Sequence, residues 1–435
     1  MSDTICAIST ALGVGAISII RVSGNESIEI VNKIFKGKDL LKVNSHTINY
    51  GHIVNNDEVI DEVLVSIMKA PKTVTKEDVV EINCHGGIAT TNKVLELLLL
   101  NGCRLAEPGE FTKRAFLNGR IDLTEAEAVM DLINANSDSA RKLAINQLNG
   151  YGSKLIRKLR EDLVGLISNI EVNIDYPEYE DIYEVTMNDV SSKIDNIKKS
   201  LEIIVSEYEN GKLISDGIKT IIIGRPNVGK SSLLNRLLQY EKAIVTDIPG
   251  TTRDIVEGKI LIDGINLNII DTAGIRDTSD VVEQIGVQKS FDMLDEADLV
   301  LLLLNNNESI NDLDLELLDK TKDKTCIVTL PSITRDNSDI IGWSTNKDSK
   351  DKEYKTNEKI NNGDYNYITN TRQIAKIKEC LNIINDVSNG INLEIGLDMI
   401  EIDLKNIWNI LGEIIGESYS EELLDELFSK FCVGK

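Results

Sequence analysis

The stretch Lys219-Thr220-Ile221-Ile222-Ile223-Gly224-Arg225-Pro226-Asn227-Val228-Gly229-Lys230-Ser231 carries a short apolar run straight into a glycine loop, and Ser232-Leu233-Leu234-Asn235-Arg236-Leu237-Leu238 continues it with helical spacing. A G-x-x-x-x-G-K-S match alone is weak, but one set between a strand and a helix meets the mechanical needs of a phosphate-binding loop. Gly224 and Gly229 let backbone amides turn toward phosphates, Lys230 reaches the β- and γ-oxygens, and Ser231 offers a hydroxyl to Mg2+. Two further elements follow in order. Thr251-Thr252 sits in a Pro-Gly-Thr-Thr-Arg-Asp loop, where a threonine hydroxyl and carbonyl can close over Mg2+ and the γ-phosphate. Asp271-Thr272-Ala273-Gly274 ends an apolar run, which places Asp271 to hold the Mg2+ water shell and Gly274 to offer its amide to the γ-phosphate. Three phosphate-reading elements in this order imply a switch GTPase rather than a kinase or a transporter ATPase. Ile275 stands where Ras-like switches carry a water-orienting glutamine, so hydrolysis needs another group. Asp280 and Glu283 are acidic candidates just downstream, unless they only open a solvated helix.

Outward from the loop, the hydrophobic period changes twice. To about Asn118 the chain alternates β-rich runs such as Ile17-Ser18-Ile19-Ile20, Val63-Leu64-Val65-Ser66-Ile67 and Val79-Val80-Glu81-Ile82 with a helical stretch near Asn92 to Asn101. At Thr124-Glu125-Ala126-Glu127 a capping box is expected, Thr124 accepting from first-turn amides and Glu127 reaching back. Helical spacing then runs to about Gly211, interrupted near Tyr176-Pro177, and returns from Arg372 to the end. Between them, Ile260-Leu261-Ile262 and Leu267-Asn268-Ile269-Ile270 read as a hairpin through Asp263-Gly264, and Leu299 to Leu304 as a fully buried strand. The polar stretch Ser332 to Asn366 reads largely as loop. The pattern predicts an α/β multidomain protein. An α+β N-terminal domain covers 1–118, a helical domain covers 119–215 and 371–435, and a P-loop GTPase domain of Ras-like α/β fold is inserted over 216–370.

A chain of 435 residues exceeds what one hydrophobic core serves. With no apolar run of about 20 residues and no basic-then-apolar leader after Met1-Ser2-Asp3-Thr4, neither a membrane span nor a secretory signal is expected, and the cytoplasm is the expected location. The six cysteines lack C-x-x-C spacing, so reduced thiols are expected. Cys84-His85 is either half of a metal site or a buried strand end. A formal charge of −24 excludes a protein that coats nucleic acid through a general positive field, so any RNA contact must be local. Lys113, Arg114 and Arg120 are one candidate for it, and a solvated basic face is the alternative.

Several separated motifs resemble the MnmE (TrmE) family of tRNA-modification GTPases. They are Thr4-Ile5-Cys6-Ala7 with Ile19-Ile20-Arg21-Val22-Ser23-Gly24, Cys84-His85-Gly86-Gly87, the run Pro108 to Arg120, Thr246 to Asp254, and Phe428-Ser429-Lys430-Phe431-Cys432-Val433-Gly434-Lys435 at the C-terminus. The resemblance implies a homodimer whose N-terminal domain binds 5-formyl-tetrahydrofolate through Arg21, Glu81, Arg120 and Lys435. Taken alone, Arg21 and Glu81 could equally form a structural salt bridge. It also implies nucleotide contacts from Asn227, Val228, Gly229, Lys230, Ser231 and Ser232. Others come from the switch-loop residues Thr246, Asp247, Ile248, Pro249, Gly250, Thr251 and Thr252, and from Asp271, Thr272, Ala273 and Gly274. A K+ ion is implied at Asn227, Thr246, Ile248 and Thr251, with Mg2+ on Ser231 and Thr252. Glu283 falls where the family places its water-positioning glutamate, and Cys432 where it places a cysteine considered for the modification step.

On this resemblance the chain acts on tRNA. It is expected to form a heterotetramer with an FAD-containing partner of the MnmG type and to install 5-carboxymethylaminomethyl on the wobble uridine of certain tRNAs, as a K+-stimulated GTPase using GTP. One departure matters. Where the family reads Asn-Lys-x-Asp to recognise guanine, this chain has Pro331-Ser332-Ile333-Thr334 after Leu330. The alternative reading is therefore a folate- and tRNA-binding scaffold whose G domain has lost guanine selectivity. Ala16, where the family usually has glycine, and Val433, where it has isoleucine, are lesser departures.

Overall fold

A computed structural model describes residues 3–175, 187–225, 228–238, 243–244, 258–262, 265–271, 294, 297–305, 308–329, 343–345, 367–393 and 395–434. They divide into two compact units, one of Met1–Met130, Gln147–Lys199 and Ala375–Lys435, the other of Asp131–Asn146 and Ser200–Ile374.

The first unit is built on a seven-stranded sheet in the order β3-β4-β5-β6-β2-β1-β7. Its strands are β1 (Ile5–Ile8), β2 (Ile17–Ser23), β3 (Phe35–Lys36), β4 (Thr47–Asn55), β5 (Glu58–Met68), β6 (Val79–His85) and β7 (Arg104–Leu105). All pairings are antiparallel except β1 with β7. Period-two alternation sends Ile20, Val22, Val65, Ile67, Val80 and Ile82 to one face. There they form a core with α1 (Ser27–Ile34) and with α2 (Ile88–Leu100), whose Val94, Leu97 and Leu98 recur at helical spacing. The helix expected near Asn92 to Asn101 thus starts four residues earlier.

Helices α3 (Glu110–Leu117), α4 (Leu123–Asn134), α5 (Asp138–Leu148) and α6 (Tyr151–Asp175) follow. The capping box lies two residues before its expected place. The Glu125 N–H donates to Asp122 Oδ1 (3.0 Å) and the Asp122 N–H to Glu125 Oε2 (2.9 Å), while the Thr124 hydroxyl donates to Asp122 (2.7 Å). Both spacings fit the box pattern, and Asp122 takes the cap because Leu123 and Ala126 must already be helical to reach the apolar cluster of Phe116, Leu424 and Phe428. The helix Leu397–Ile415 packs along α6 in this unit, tied by Lys405 to Glu171 (2.7 Å) and by Arg160, stacked 4.0 Å over the Trp408 ring.

The second unit holds another sheet. Among the described residues its order is β14-β13-β12-β8-β11-β10-β9. Its strands are β8 (Ile218–Gly224), β9 (Ala243–Ile244), β10 (Gly258–Ile262), β11 (Ile265–Asp271), β12 (Leu299–Leu303), β13 (Cys326–Thr329) and β14 (Trp343–Thr345). β8, β11, β12 and β13 run parallel, and β10 and β11 form the expected antiparallel hairpin with Ile262 opposite Ile265. Ile221 and Ile223 point to one apolar cluster and Ile222 to the other, so the central strand is buried on both faces and reads as a continuous apolar run. β14 corrects one expectation. Trp343-Ser344-Thr345 lies inside the polar stretch read as loop, yet pairs antiparallel with β13 as an edge strand, satisfying backbone groups that β13 would otherwise leave open. Folds of both units together make the chain a multidomain α/β protein. No described helix is long and apolar enough to cross a membrane.

Candidate functional site

The phosphate loop leaves the C-terminal end of β8, flanked by the ends of its two parallel neighbours. Gly224 is opposite Leu303 of β12, and Ile222 is opposite Asp271 of β11. Open parallel sheets bind ligands at this edge. A side chain at Gly224 would press on the carbonyl oxygen of Leu303, and Gly229 has φ +100° with open space where a Cβ would stand. These two positions keep the loop backbone bare for close approach by a phosphate. After α7 (Met187–Ser215) and β8, α8 (Lys230–Leu238) begins at the loop's last residues and directs its first-turn amides to the same place. The Lys230 ammonium donates to the carbonyls of Gly224 (2.7 Å) and Arg225 (2.8 Å), and so lies across the loop. The phosphates of a nucleotide fit this donor set: bare backbone and a fixed ammonium, at a strand end whose parallel neighbour closes on Asp271. The side chains of Ser231 and Asp271 lie outside the described residues. So do Asn227, Thr246, Asp247, Ile248, Pro249, Gly250, Thr251, Thr252, Thr272, Ala273, Gly274, Glu283, Pro331 to Thr334 and Lys435. Val228 is buried and Ser232 exposed, on either side of Lys230.

Sequence reasoning passed over Arg225. Its guanidinium sits 3.1 Å from Glu308 and 3.0 Å from Asp314, which is 1% exposed. Asp314 closes a capping box with Asn311 at the start of the helix Asp312–Lys320, so Arg225 ties the loop to that helix. The Asn311-Asp312-Leu313-Asp314 signature was readable as a cap, but its long-range partner was not. Arg225→Met is expected to weaken nucleotide affinity roughly tenfold in an equilibrium titration. An unchanged affinity would show that the tether does not shape the loop.

In the other unit, Arg21 and Glu81 are directly opposed on β2 and β6, with Arg21 Nε and Nη2 at 2.9 and 2.8 Å from Glu81 Oε1. The pair lies on the sheet face opposite α1 and α2, in one row with Ile48 and Ser66. The next row holds Tyr50, Leu64, Asn83 and Ile19. Phe111 of α3 covers the β1 end of this face and stands 5.6 Å from the Arg21 guanidinium. Beyond it the face is open, with Ile48 69% and Tyr50 60% exposed. The C-terminal tail comes to the same strand end. Ser9 donates to the Gly434 carbonyl (3.1 Å) and the Gly109 N–H to the Cys432 carbonyl (3.2 Å), with the Cys432 thiol exposed. Ile8, just before Ser9, is opposite Ile20, so the tail ends about one strand from Arg21. Arg120 is exposed and donates to the Val74 carbonyl (2.8 Å), apart from the Arg21–Glu81 pair's own contacts.

Two expectations are corrected. Lys113, Arg114 and Arg120 do not form one basic face. Arg114 is 1% exposed, held by Asp3 (2.9 Å), Glu77 (3.2 Å) and Glu110 (3.0 Å), while Lys113 pairs with Asp425. Adjacent positions on a helix point about 100° apart, which separates Lys113 from Arg114, and Arg120 lies beyond the end of α3. Nor is Cys84-His85 a buried pair or half of a metal site. Cys84 is buried, its thiol pushed up by burial, whereas His85 is exposed and bonded to Asp61 (2.7 Å), which raises its pKa. Successive strand residues face opposite sides of the sheet. Among the described residues no group of three His, Cys, Asp or Glu side chains is placed to hold a metal ion.

A glycine loop on a central parallel strand, with an aspartate ending the neighbouring strand, defines a P-loop nucleotide-binding protein. The family model "GTP-binding protein TrmE N-terminus" matches residues 4–120, and "MnmE helical domain" matches residues 123–432. The tRNA modification GTPase MnmE of Streptococcus thermophilus is 51% identical over 449 residues, covering 100% of this chain and 98% of that protein. Its namesake from Bacillus subtilis is 49% identical over 459 residues, covering both chains fully at 100%. A crystal structure of Aquifex aeolicus Era bound to GDP and AlF4− shares 34% identity, covering 27% of this chain and 40% of that one with a TM-score of 0.21. The chain belongs to the MnmE family of tRNA-modification GTPases.

Proposed function

We propose that this chain is a K+-stimulated GTPase that works with an FAD-containing partner of the MnmG type to form 5-carboxymethylaminomethyl on the wobble uridine of certain tRNAs. The whole-length match to its relatives carries this reading. The domains are 1–118, 119–215 with 371–435, and 216–370, and the location is the cytoplasm. Lys230 and the loop amides bind and orient the β- and γ-phosphates, and the Arg225 tether keeps the loop in shape for them. Mg2+ on Ser231 and Thr252, and K+ on Asn227, Thr246, Ile248 and Thr251, supply positive charge against the phosphates when bound. Glu283 positions the attacking water.

The open sheet face around Arg21 and Glu81 supports homodimerisation through the N-terminal domain, because a large apolar patch rimmed by polar groups marks an association surface. Folate fits there. Arg21 offers its guanidinium to a carboxylate, Glu81 accepts from a pterin, and the tail carrying Cys432 comes to the neighbouring strand at Gly434; Lys435, the next residue in the chain, belongs to the same reading. Arg120, exposed and bonded to the Val74 carbonyl, supplies a further cation for the folate's carboxylates.

Loss of the gene's function in its own host, followed by mass spectrometry of digested tRNA, is expected to remove the modified wobble nucleoside. An unchanged nucleoside profile would contradict the proposal. The second reading, a scaffold without guanine selectivity, rests on Pro331-Ser332-Ile333-Thr334. It predicts equal affinity for GDP and ADP.

A further inference from the structure

The loop Ala70 to Asp78 closes one end of the open sheet face that carries Arg21 and Glu81. It leads into β6, where Val79 precedes Glu81 by two residues, about 7 Å along the strand. Ser23, opposite Val79 on β2, bonds to Thr75 (2.7 Å), and the end of α3 reaches the loop through Asn118, which donates to the Thr75 carbonyl (2.7 Å). Further bonds fix the loop's shape. The Ala70 N–H donates to Asp78 (2.8 Å), Thr73 to the Glu77 carbonyl (2.6 Å) and the His46 ring to the Lys72 carbonyl (3.0 Å). On this rim the Lys76 ammonium donates to the Gly119 carbonyl (2.8 Å) and Arg120 to the Val74 carbonyl (2.8 Å), with Lys72 on the same loop. All three side chains are exposed, and among the described residues none of them has a carboxylate partner. The carboxylates nearby are engaged: Glu77 by Arg114 (3.2 Å) and Ser23 (2.7 Å), Asp78 by the Ala70 N–H, and Asp122 by Arg157 (3.3 Å). Lys69 adds a fourth cation, bonded to the Val43 carbonyl (2.9 Å). Positive charge is thus in excess here, in a chain whose formal charge is −24.

We propose that Lys72 and Lys76 extend the folate's anionic subsite beyond Arg120, so that this chain takes the folate as its polyglutamate, with a tail of several γ-linked glutamates. The inference rests on the folate reading above. A folate with its pterin at Glu81 carries its carboxylates at the opposite end, and the rim beyond Val79 is where this face offers cations without carboxylate partners. A single glutamate presents two carboxylates, which the planar fork of Arg120 can serve. Each further γ-linked glutamate adds one carboxylate and lengthens the tail. Lys76, bonded to the carbonyl of the residue before Arg120, is the next cation, and Lys72 lies on the same loop. Bonds to neutral carbonyls hold these side chains without neutralising them, so their charge is left for an anion. Exposed ion pairs are individually weak, and selectivity for the long tail comes from their number. Arg114, buried among carboxylates, is no part of it.

The test is calorimetric titration of the full chain with 5-formyl-tetrahydrofolate carrying either a single glutamate or a γ-linked chain of five. The longer form is expected to bind about tenfold tighter, an advantage that shrinks as salt rises. Lys72→Gln combined with Lys76→Asn is expected to narrow the advantage to about twofold. Asparagine suits the left-handed backbone at Lys76, where φ is +60°. Lys72→Gln alone keeps the carbonyl that His46 holds and is expected to narrow the advantage to about fourfold, so it decides the matter if the double variant does not fold. Thermal midpoints verify folding. Equal parental affinity for the two forms, or an undiminished advantage in the folded variants, overturns the polyglutamate subsite while the folate reading stands. Parental failure to bind either form overturns both. Loss of tRNA affinity in the variants with the advantage intact would assign the lysines to RNA and overturn the subsite.

Discussion

Lys230→Ala is expected to lower kcat for GTP hydrolysis by about 10²–10³-fold, with the far-ultraviolet circular dichroism unchanged. The ammonium lies over the carbonyls of Gly224 and Arg225, so it is placed before the nucleotide arrives and needs no reorganisation to meet the phosphates. Alanine removes one preorganised positive charge from the site where negative charge shifts in the transition state. It leaves the apolar packing of β8 and α8 intact, since Ile222, Val228 and Leu234 do not depend on Lys230. Single-turnover hydrolysis measures the effect. Turnover within threefold of the parent would show that the loop does not do the chemistry.

The second large effect falls on stability. Glu110 is 4% exposed and accepts from Arg104 (2.5 and 3.1 Å) and from the nearly inaccessible Arg114 (3.0 Å). Glu110→Ala takes the buried carboxylate from two guanidinium groups, leaving Arg104 to Asp3 and Arg114 to Asp3 and Glu77, and losing such charge-assisted hydrogen bonds costs about 3 kcal/mol. The thermal midpoint is expected to drop on the order of 10 °C. Burial pushes the Glu110 carboxyl up, but its hydrogen bonds from Arg104, from the Glu107 N–H and from Arg114 outweigh this and leave it below its ordinary value. Asp3 is lowered too, first by its hydrogen bond from Arg104. A depressed folded pKa gives stability that is present above the ordinary carboxylate range and lost as pH falls through the folded value. The parent should therefore lose stability on acidification below about pH 4, and Glu110→Ala should lose less over the same range. Equal midpoints for both proteins at neutral pH would reject the network as a stabilising element.

The period changes at Lys219 and the hairpin through Asp263-Gly264 were legible because each is a local pattern: a strand buried on both faces, then a glycine loop, then helical spacing. The phosphate loop followed from the same locality. What escaped was non-local. Arg114 looked like surface because Lys113-Arg114 reads as a basic pair, although the Glu110 spacing of four on one helix already hinted at a partner. The cap at Asp122 was misplaced because Thr124-x-x-Glu127 fits the same rule, and the apolar cluster around Phe428, over three hundred residues away, decides between them. The link from Arg225 to Asp314 joins a loop to the first turn of a distant helix, with no shared pattern. Lys72 and Lys76 drew no notice, since exposed lysines in a loop are ordinary until the turn at Gly119 and Arg120 is folded beside them.

The loop at Gly224 to Ser231 serves a GTPase even though Pro331-Ser332-Ile333-Thr334 stands where the guanine-reading motif is expected. Phosphate release by the purified chain, with GTP or ATP in K+ or Na+, tests it most directly. Turnover is expected to be faster in K+ with GTP and at least tenfold slower with ATP. Equal turnover of the two nucleotides, indifferent to the cation, would contradict it.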